Sequence, residues 1–317
     1  MTESSRTVLV TGGAGFIGSH VCQAYRDAGW RVIALDNLSS GKIDNVPDDV
    51  EFIEMDIRSD ELSGLMQERR PALVNHHAAQ IDVRLSVADP RLDASINVDG
   101  WLNVLESARG ADVRRVVFVS SGGVVYGEPE QVPTRETAPK APISPYGVSK
   151  LTGEHYLFYF RKVHGLEGVA LRYSNVYGPR QDPHGEAGVI ALFSRRLIEG
   201  RNLTIFGDGE QTRDYVYVGD VAAANLAVSE VPLPDPESID DVAFNVATGV
   251  EASVRRLAET MLEVSGGHVD VEFAPARPGE LLRSALDTAR LRDAGWAPEI
   301  DLAEGLRRTY EYIAEHV

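Results

Sequence analysis

The apolar run Thr7-Val8-Leu9-Val10 is followed at once by Thr11-Gly12-Gly13-Ala14-Gly15-Phe16-Ile17-Gly18, which opens into a helical pattern over residues 19–28. A buried strand, a glycine turn and a helix in that order leave few folds open. Glycines let the backbone turn tightly and approach a pyrophosphate, which then rests on the free N–H groups of the helix N-terminus. They fall at 12, 15 and 18, a GxxGxxG spacing rather than GxGxxG. The next strand, residues 31–35, ends at Asp36. An acidic side chain there accepts hydrogen bonds from the adenosine ribose hydroxyls and repels a 2′-phosphate, which favours NAD over NADP.

Further strands are expected at residues 50–55, 72–76, 115–120 and 168–172, with helices at 60–68, 91–108 and 146–163. Strands alternating with helices pair in parallel through right-handed crossovers. The first ~170 residues therefore read as a doubly wound α/β sheet. Beyond Arg172 turn signals take over, at Gly178-Pro179, 182–185 and 207–209, and Pro232-Leu233-Pro234-Asp235-Pro236 is a stiff connector. Helices return at 253–264 and 302–315. The expected division is a Rossmann unit of residues 1–174 plus about 214–248, interleaved with a smaller α/β lobe of 175–213 and 249–317. That lobe would cover the carboxyl ends of the strands, where ligands bind in such sheets.

Charge narrows the partners. The 317 residues carry 48 acidic and 31 basic side chains, a net charge of −17, which argues against nucleic acid. No apolar run reaches the ~20 residues of a spanning helix, and Met1 to Arg6 is short and polar, so a cytoplasmic protein without a membrane is expected. The lone Cys22 permits neither a disulfide framework nor a thiolate metal cluster.

The chemistry concentrates in Tyr146-Gly-Val-Ser-Lys150. Four residues apart at a helix start, the phenol and the ammonium share one face. A nearby ammonium lowers a phenol pKa from its ordinary ~10 and makes a poised acid/base. Ser120-Ser121-Gly122-Gly123 lies at a strand end, the ligand edge, where a hydroxyl can bind a substrate oxygen while Tyr146 exchanges its proton. Arg213 and Arg277 are fork donors suited to a pyrophosphate.

These motifs, with His76-His-Ala-Ala-Gln80, Arg172-Tyr-Ser-Asn-Val-Tyr-Gly-Pro-Arg-Gln181, Arg213-Asp-Tyr-Val-Tyr-Val-Gly-Asp220, Asn245-Val-Ala-Thr-Gly249 and Arg277-Pro-Gly-Glu280, run the length of the chain. The sequence resembles the extended short-chain dehydrogenase/reductases and, within them, the bacterial UDP-glucose 4-epimerase family of nucleotide-sugar epimerases. The resemblance implies an isomerase that holds NAD tightly and oxidises C4 of a UDP-hexose while Tyr146 removes the hydroxyl proton. The 4-keto sugar then turns over and takes the hydride back on its other face. It implies NAD contacts from Gly12, Gly15, Phe16, Ile17, Gly18, Asp36, Asn37, Ser39, Ser40, Gly41, Asp56, Ile57, Ala78, Ala79, Gln80, Asn97, Tyr146, Lys150 and Tyr173. The UDP-sugar would meet Ser121, Gly122, Asn175, Gly188, Val189, Thr204, Phe206, Arg213, Arg277 and Glu280. Helices 91–108 and 146–163 resemble the pair that joins two copies in a homodimer, with Trp101, Leu105, Tyr156, Phe158, Tyr159 and Phe160 as apolar candidates.

Three departures qualify it. Many relatives place the catalytic hydroxyl where Gly122 stands, which leaves Ser121 as the relay or Tyr146 in direct contact with the sugar. Related 4,6-dehydratases carry an Asp-Glu pair at the positions of Gly122 and Gly123, so dehydration is disfavoured. Uronate epimerases often carry an arginine where Asp182 stands, which disfavours UDP-glucuronate. Ser284 occupies a position where some relatives have tyrosine, leaving room for an N-acetyl group. The alternatives are another nucleotide-sugar 4-epimerase and, from a different class, a NAD-binding regulatory protein without turnover.

Overall fold

The computed structural model describes residues 6–183, 188–276 and 281–316. The strands are β1 Thr7–Thr11, β2 Arg31–Asp36, β3 Glu51–Glu54, β4 Leu73–His76, β5 Arg115–Ser121, β6 Glu167–Tyr173, β7 Asn175–Tyr177, β8 Leu203–Phe206, β9 Thr212–Arg213, β10 Tyr215–Tyr217, β11 Ala243–Val246, β12 Ala252–Ser253 and β13 Val271–Ala274. The helices are α1 Phe16–Asp27, α2 Leu62–Arg69, α3 Val83–Ala88, α4 Pro90–Ala94, α5 Gly100–Gly110, α6 Gly122–Val125, α7 Pro145–His164, α8 Val189–Ile198, α9 Val218–Val228, α10 Val254–Ser265, α11 Ala289–Asp293 and α12 Leu302–His316.

Seven strands form one parallel sheet in the order β11-β6-β5-β4-β1-β2-β3. Both faces are covered, which is why β1 is apolar and buried along its whole length rather than alternating. One face packs on α1 and α9 through Val21, Tyr25 and Val221. The other packs on α2, α5 and α7 through Met66, Trp101, Leu105 and Leu157. The order reverses between β1 and β4, and the carboxyl ends of the strands open a crevice there, the usual place for a ligand in such sheets. β11 completes the sheet beside β6 from far along the chain.

The helix expected over residues 91–108 is present as α4, a π-helical turn Ser95–Asp99 and α5. The wide turn accompanies an inward Asn97, whose amide bonds Gln80 and Asp93 rather than solvent; such bulges are frequent at functional sites. Trp101 and Leu105 are fully buried and Phe160 nearly so, which takes them out of any surface contact. Trp101 stacks 4.6 Å from both the His76 and Phe118 rings and donates its indole N–H to Gly153 O at 3.1 Å. Beyond β6 the chain forms the small pairs β7/β10, β9/β12 and β8/β13, with α8, α10 and α12 closing a second core around Phe193, Ile205, Leu257 and Leu306.

Candidate functional site

Gly12 lies at φ +70°, where a side chain would be strained, and a Cβ there would sit 2.7 Å from Ala78 N. A Cβ on Gly18 would approach Gly12 O to 2.0 Å. The two absent side chains let β1 turn into α1 and leave an open cradle. Gly15 caps α1 without a side-chain bond to its first amides, and its first turn has no acidic residue. Those N–H groups and the positive end of the helix face the crevice, a fit for a dinucleotide pyrophosphate. Phe16 and Ile17 are half-buried beside it and pack toward the second core.

Asp36 ends β2 and is 7% exposed. Its oxygens accept from Ala14 N at 3.1 Å and Leu38 N at 2.8 Å, which leaves lone pairs for a ribose diol. A Cβ on Gly41 would stand 2.9 Å from both oxygens. Asn37, Ser39 and Ser40 are exposed around the carboxylate, with Asn37 Nδ2 donating to Asp56 at 2.9 Å. Asp56 is also bound by the Arg58 guanidinium at 2.9 and 2.8 Å, which holds its carboxyl well below the usual range. Ile57 beside it is buried.

After β4 the chain runs Ala78-Ala79-Gln80 across the same edge. Ala78 N donates to Thr11 Oγ1 at 3.3 Å, and Gln80 and Asn97 exchange two bonds of 2.9 Å. Tyr173, at the end of β6, is buried, and its hydroxyl accepts from Asn225 at 2.6 Å within the core.

The alternation of β5 separates the two serines. Ser120 points into the interior and donates to Glu154 at 2.5 Å, whereas Ser121 is half-exposed at the crevice with no side-chain hydrogen bond among the described residues. Gly122 is buried against Leu286, whose Cδ1 would lie 2.4 Å from a Cβ at 122, so that position is filled from the other side. Helix α7 begins where Ser144 accepts the Gly147 amide at 3.2 Å and Pro145 takes the first helical position. Tyr146 and Lys150 share its inner face. The Lys150 ammonium stands 5.7 Å from the Tyr146 ring centre and donates to Val119 O at 3.0 Å.

The phenol pKa expected to be lowered is instead raised, first by burial and then by the Asp93 carboxylate. The ammonium is directed at a backbone carbonyl rather than at the phenol oxygen. Burial pushes Lys150 down to about 8, against a raising effect of Asp93.

Across the crevice, Asn175 is exposed at the start of β7 and Arg213 is half-buried on β9, donating to Thr212 O at 2.7 Å and Leu281 O at 2.9 Å. Gly188 caps α8 ahead of Val189. Thr204 and Phe206 share the face of β8 opposite the buried Leu203 and Ile205, and Thr204 accepts from Arg196 at 2.7 Å. Arg277 and Glu280 lie outside the described residues.

Sequence reasoning passed over the supports. Asp214, fully buried, accepts from Thr248 N and Oγ1 at 2.8 and 2.7 Å and from Gly249 N at 2.8 Å, pinning the strand that carries Arg213. Glu154 holds Arg172 at 2.6 Å beneath the crevice floor, both residues being almost wholly buried. The one available signal was a charged residue inside the apolar run of β6.

A parallel sheet with a glycine cradle at its switch point and a Tyr-xxx-Lys pair on the rim defines a dinucleotide-dependent enzyme of the short-chain dehydrogenase/reductase class. The chain belongs to the NAD dependent epimerase/dehydratase family, which matches residues 8–247. A UDP-glucose 4-epimerase of Mycolicibacterium smegmatis is 46% identical over 311 residues, covering 96% of this chain and 97% of that one. The solved structure of UDP-glucose 4-epimerase from Thermotoga maritima with UDP-glucose superposes with a TM-score of 0.93 at 43% identity, over 98% of this chain and 99% of that one. The UDP-glucose 4-epimerase of Thermus thermophilus in complex with NAD gives 0.90 at 45%, over 98% and 100%.

Proposed function

We propose that the protein is a NAD-dependent UDP-hexose 4-epimerase that interconverts UDP-glucose and UDP-galactose and also accepts UDP-N-acetylglucosamine. One observation carries the choice within the family: Tyr146 and Lys150 stand beside Ser121 and the carboxylate-free Gly122-Gly123. A proton can be exchanged there, but no acid/base pair is present at 122 and 123 for eliminating water.

The cradle of Gly12, Gly15 and Gly18, with Asp36 and Asn37 toward the adenosine and Ala78, Gln80 and Asn97 along the crevice, would hold NAD. The chemistry it supplies when bound is reversible acceptance of a hydride from a sugar carbon. Tyr146 takes the C4 hydroxyl proton and returns it in the second half-reaction; its raised pKa makes the phenolate a strong base and the phenol a weak acid. Lys150 contributes a positive charge beside the phenol. Asn175, Gly188, Val189, Thr204, Phe206, Arg213, Arg277 and Glu280 grip the UDP, so that the keto sugar can turn over between the two half-reactions. Ser284 is a small side chain at the position where some relatives carry tyrosine, which supports room for an N-acetyl group.

Incubating the protein separately with UDP-glucose, UDP-N-acetylglucosamine and UDP-glucuronate, and resolving the C4 epimers, tests this reading. Turnover of the first two is expected; turnover of UDP-glucuronate alone would replace it. Ser121→Ala separates the two proton routes. A loss of ~100-fold or more in kcat identifies a relay through Ser121, and a loss under ~10-fold identifies direct contact by Tyr146.

The cofactor unit is taken as residues 1–174 plus about 214–248, supported by β11 in the main sheet. Among the described residues no helix is long and apolar enough to cross a membrane, and a cytoplasmic location is proposed. A homodimer is proposed through α4 and α7, where Leu92, Val148, Tyr159 and Val163 remain exposed on adjoining helices.

A further inference from the structure

Beside the Tyr146/Lys150 pair lies a carboxyl group with no part in the chemistry above. Asp93, on α4, is 1% exposed and makes no ion pair among the described residues. Its Oδ1 accepts from Gln80 Nε2 at 3.1 Å and Asn97 Nδ2 at 3.0 Å, and its Oδ2 from Ser149 Oγ at 2.6 Å. All three are neutral donors. A carboxylate taken out of water on neutral donors alone is costly to the fold. The donors come from three segments at the site: the loop after β4, the π-helical turn, and α7 between Tyr146 and Lys150.

We infer that Asp93 is a positioning residue that, through Ser149, holds the start of α7 against the loop after β4 and adds its negative charge to the field at Tyr146 and Lys150. This rests on the reading that Tyr146 and Lys150 carry the proton exchange. The other titratable groups around the pair are neutralised or spent elsewhere: Glu154, one turn on along α7, is ion-paired with Arg172 at 2.6 Å, and Asp240 pairs with Arg172 and Lys140. His76 and His77, from β4 and the residue after it, are kept neutral by burial and by Lys150, His77 at about 3. Asp82 and Asp89 spend their side chains capping α3 and α4, and Arg58, which reaches Ser95 at 3.4 Å, is paired with Asp56. Asp93 is thus the carboxyl group that faces α7 from α4 without an ion pair among the described residues.

Its effect has one sign on both partners. A buried negative charge raises the pKa of a phenol and of an ammonium alike. Removing it lowers both, so the limbs of the kcat/KM profile that these two groups set move together to lower pH. A residue that merely packs would reduce activity without moving both limbs in that direction.

The test is Asp93→Asn on the NAD-loaded enzyme, with folding followed by melting temperature and cofactor content. Both limbs of its pH profile should move down by on the order of one unit, and Asp93→Glu should restore them toward wild type. Limbs that stay in place or move up overturn the charge role. Ser149→Ala keeps the charge and removes the tether, so it serves even where Asp93→Asn does not fold. It should lower kcat several-fold with unchanged KM and limbs in wild-type positions; an unchanged kcat overturns the positioning role. A stationary Asp93→Asn profile with an inactive Tyr146→Phe enzyme sinks this inference alone, whereas an active Tyr146→Phe enzyme sinks the reading beneath it.

Discussion

Tyr146→Phe is expected to lower kcat by ~1000-fold or more while NAD remains bound and the melting temperature stays close to that of the wild type. The reason is local. The phenyl ring keeps the packing of the first turn of α7, whose Tyr146 backbone N–H donates to Ser86 Oγ at 3.3 Å regardless of the side chain. Only the oxygen that takes and returns the proton is lost, and a positioned acid/base contributes ~100- to 10,000-fold. Single-turnover reduction of the bound cofactor by substrate, read by absorbance, would fall in parallel with kcat. Unchanged turnover on the true substrate would remove Tyr146 from the mechanism and leave Ser121 as the candidate for the proton exchange.

The second large effect is on stability. Glu154→Leu should destabilise the protein by about 3 kcal/mol, because it leaves the buried Arg172 guanidinium with Asp240 as its remaining carboxylate partner among the described residues and strands the Ser120 hydroxyl. Glu154 receives three bonds from Arg172, at 3.0, 3.2 and 2.6 Å, and a fourth from Ser120 at 2.5 Å. Arg172 also reaches Asp240 at 2.9 Å, the hydroxyl of Tyr126 at 3.0 Å and Glu136 O at 2.8 Å. That cluster ties α7, β5, β6 and the loop after α6 into one block directly under the Tyr146/Lys150 pair. A drop in melting temperature on the order of 10 °C is expected, together with reduced activity of the fraction that remains folded. A variant that melts within a degree or two of wild type would mean the cluster is dispensable.

The parts of the fold legible in the sequence were those written in short-range patterns. β1, the glycine turn, α1 and Asp36 follow one another within thirty residues, and each signal is local: an apolar run, φ-permissive glycines, a helical period, an acid at a strand end. The long helices α7, α10 and α12 were legible for the same reason. What lay hidden depends on partners far away in the chain. Nothing near Asp93 marks it as buried; its donors come from residues 80, 97 and 149. Asp214 reads as a loop aspartate until Thr248 and Gly249 fold over it. The π-helical turn interrupts what periodicity alone reads as one helix, since the inward tilt of Asn97 answers to Gln80. The expectation for Tyr146 failed on physics of the same kind: spacing places an ammonium nearby, but only the packed structure says that it bonds Val119 O and that burial and a carboxylate, Asp93, act on the phenol instead.

The late arrival of β11 has a consequence for how the molecule comes into being. As the chain is synthesised from its N-terminus, the first six strands of the main sheet are complete by Tyr173, but the outer edge of β6 stays open until residues 243–246 emerge. Arg172, within that edge strand, meanwhile lacks its Asp240 partner. An open strand edge with an incompletely neutralised arginine is a poor resting place, prone to pairing with other chains. The second lobe is built from segments on either side of β11, so the two halves have to mature together. A nascent chain cut short before β11 would be a client for chaperones rather than a small working Rossmann domain.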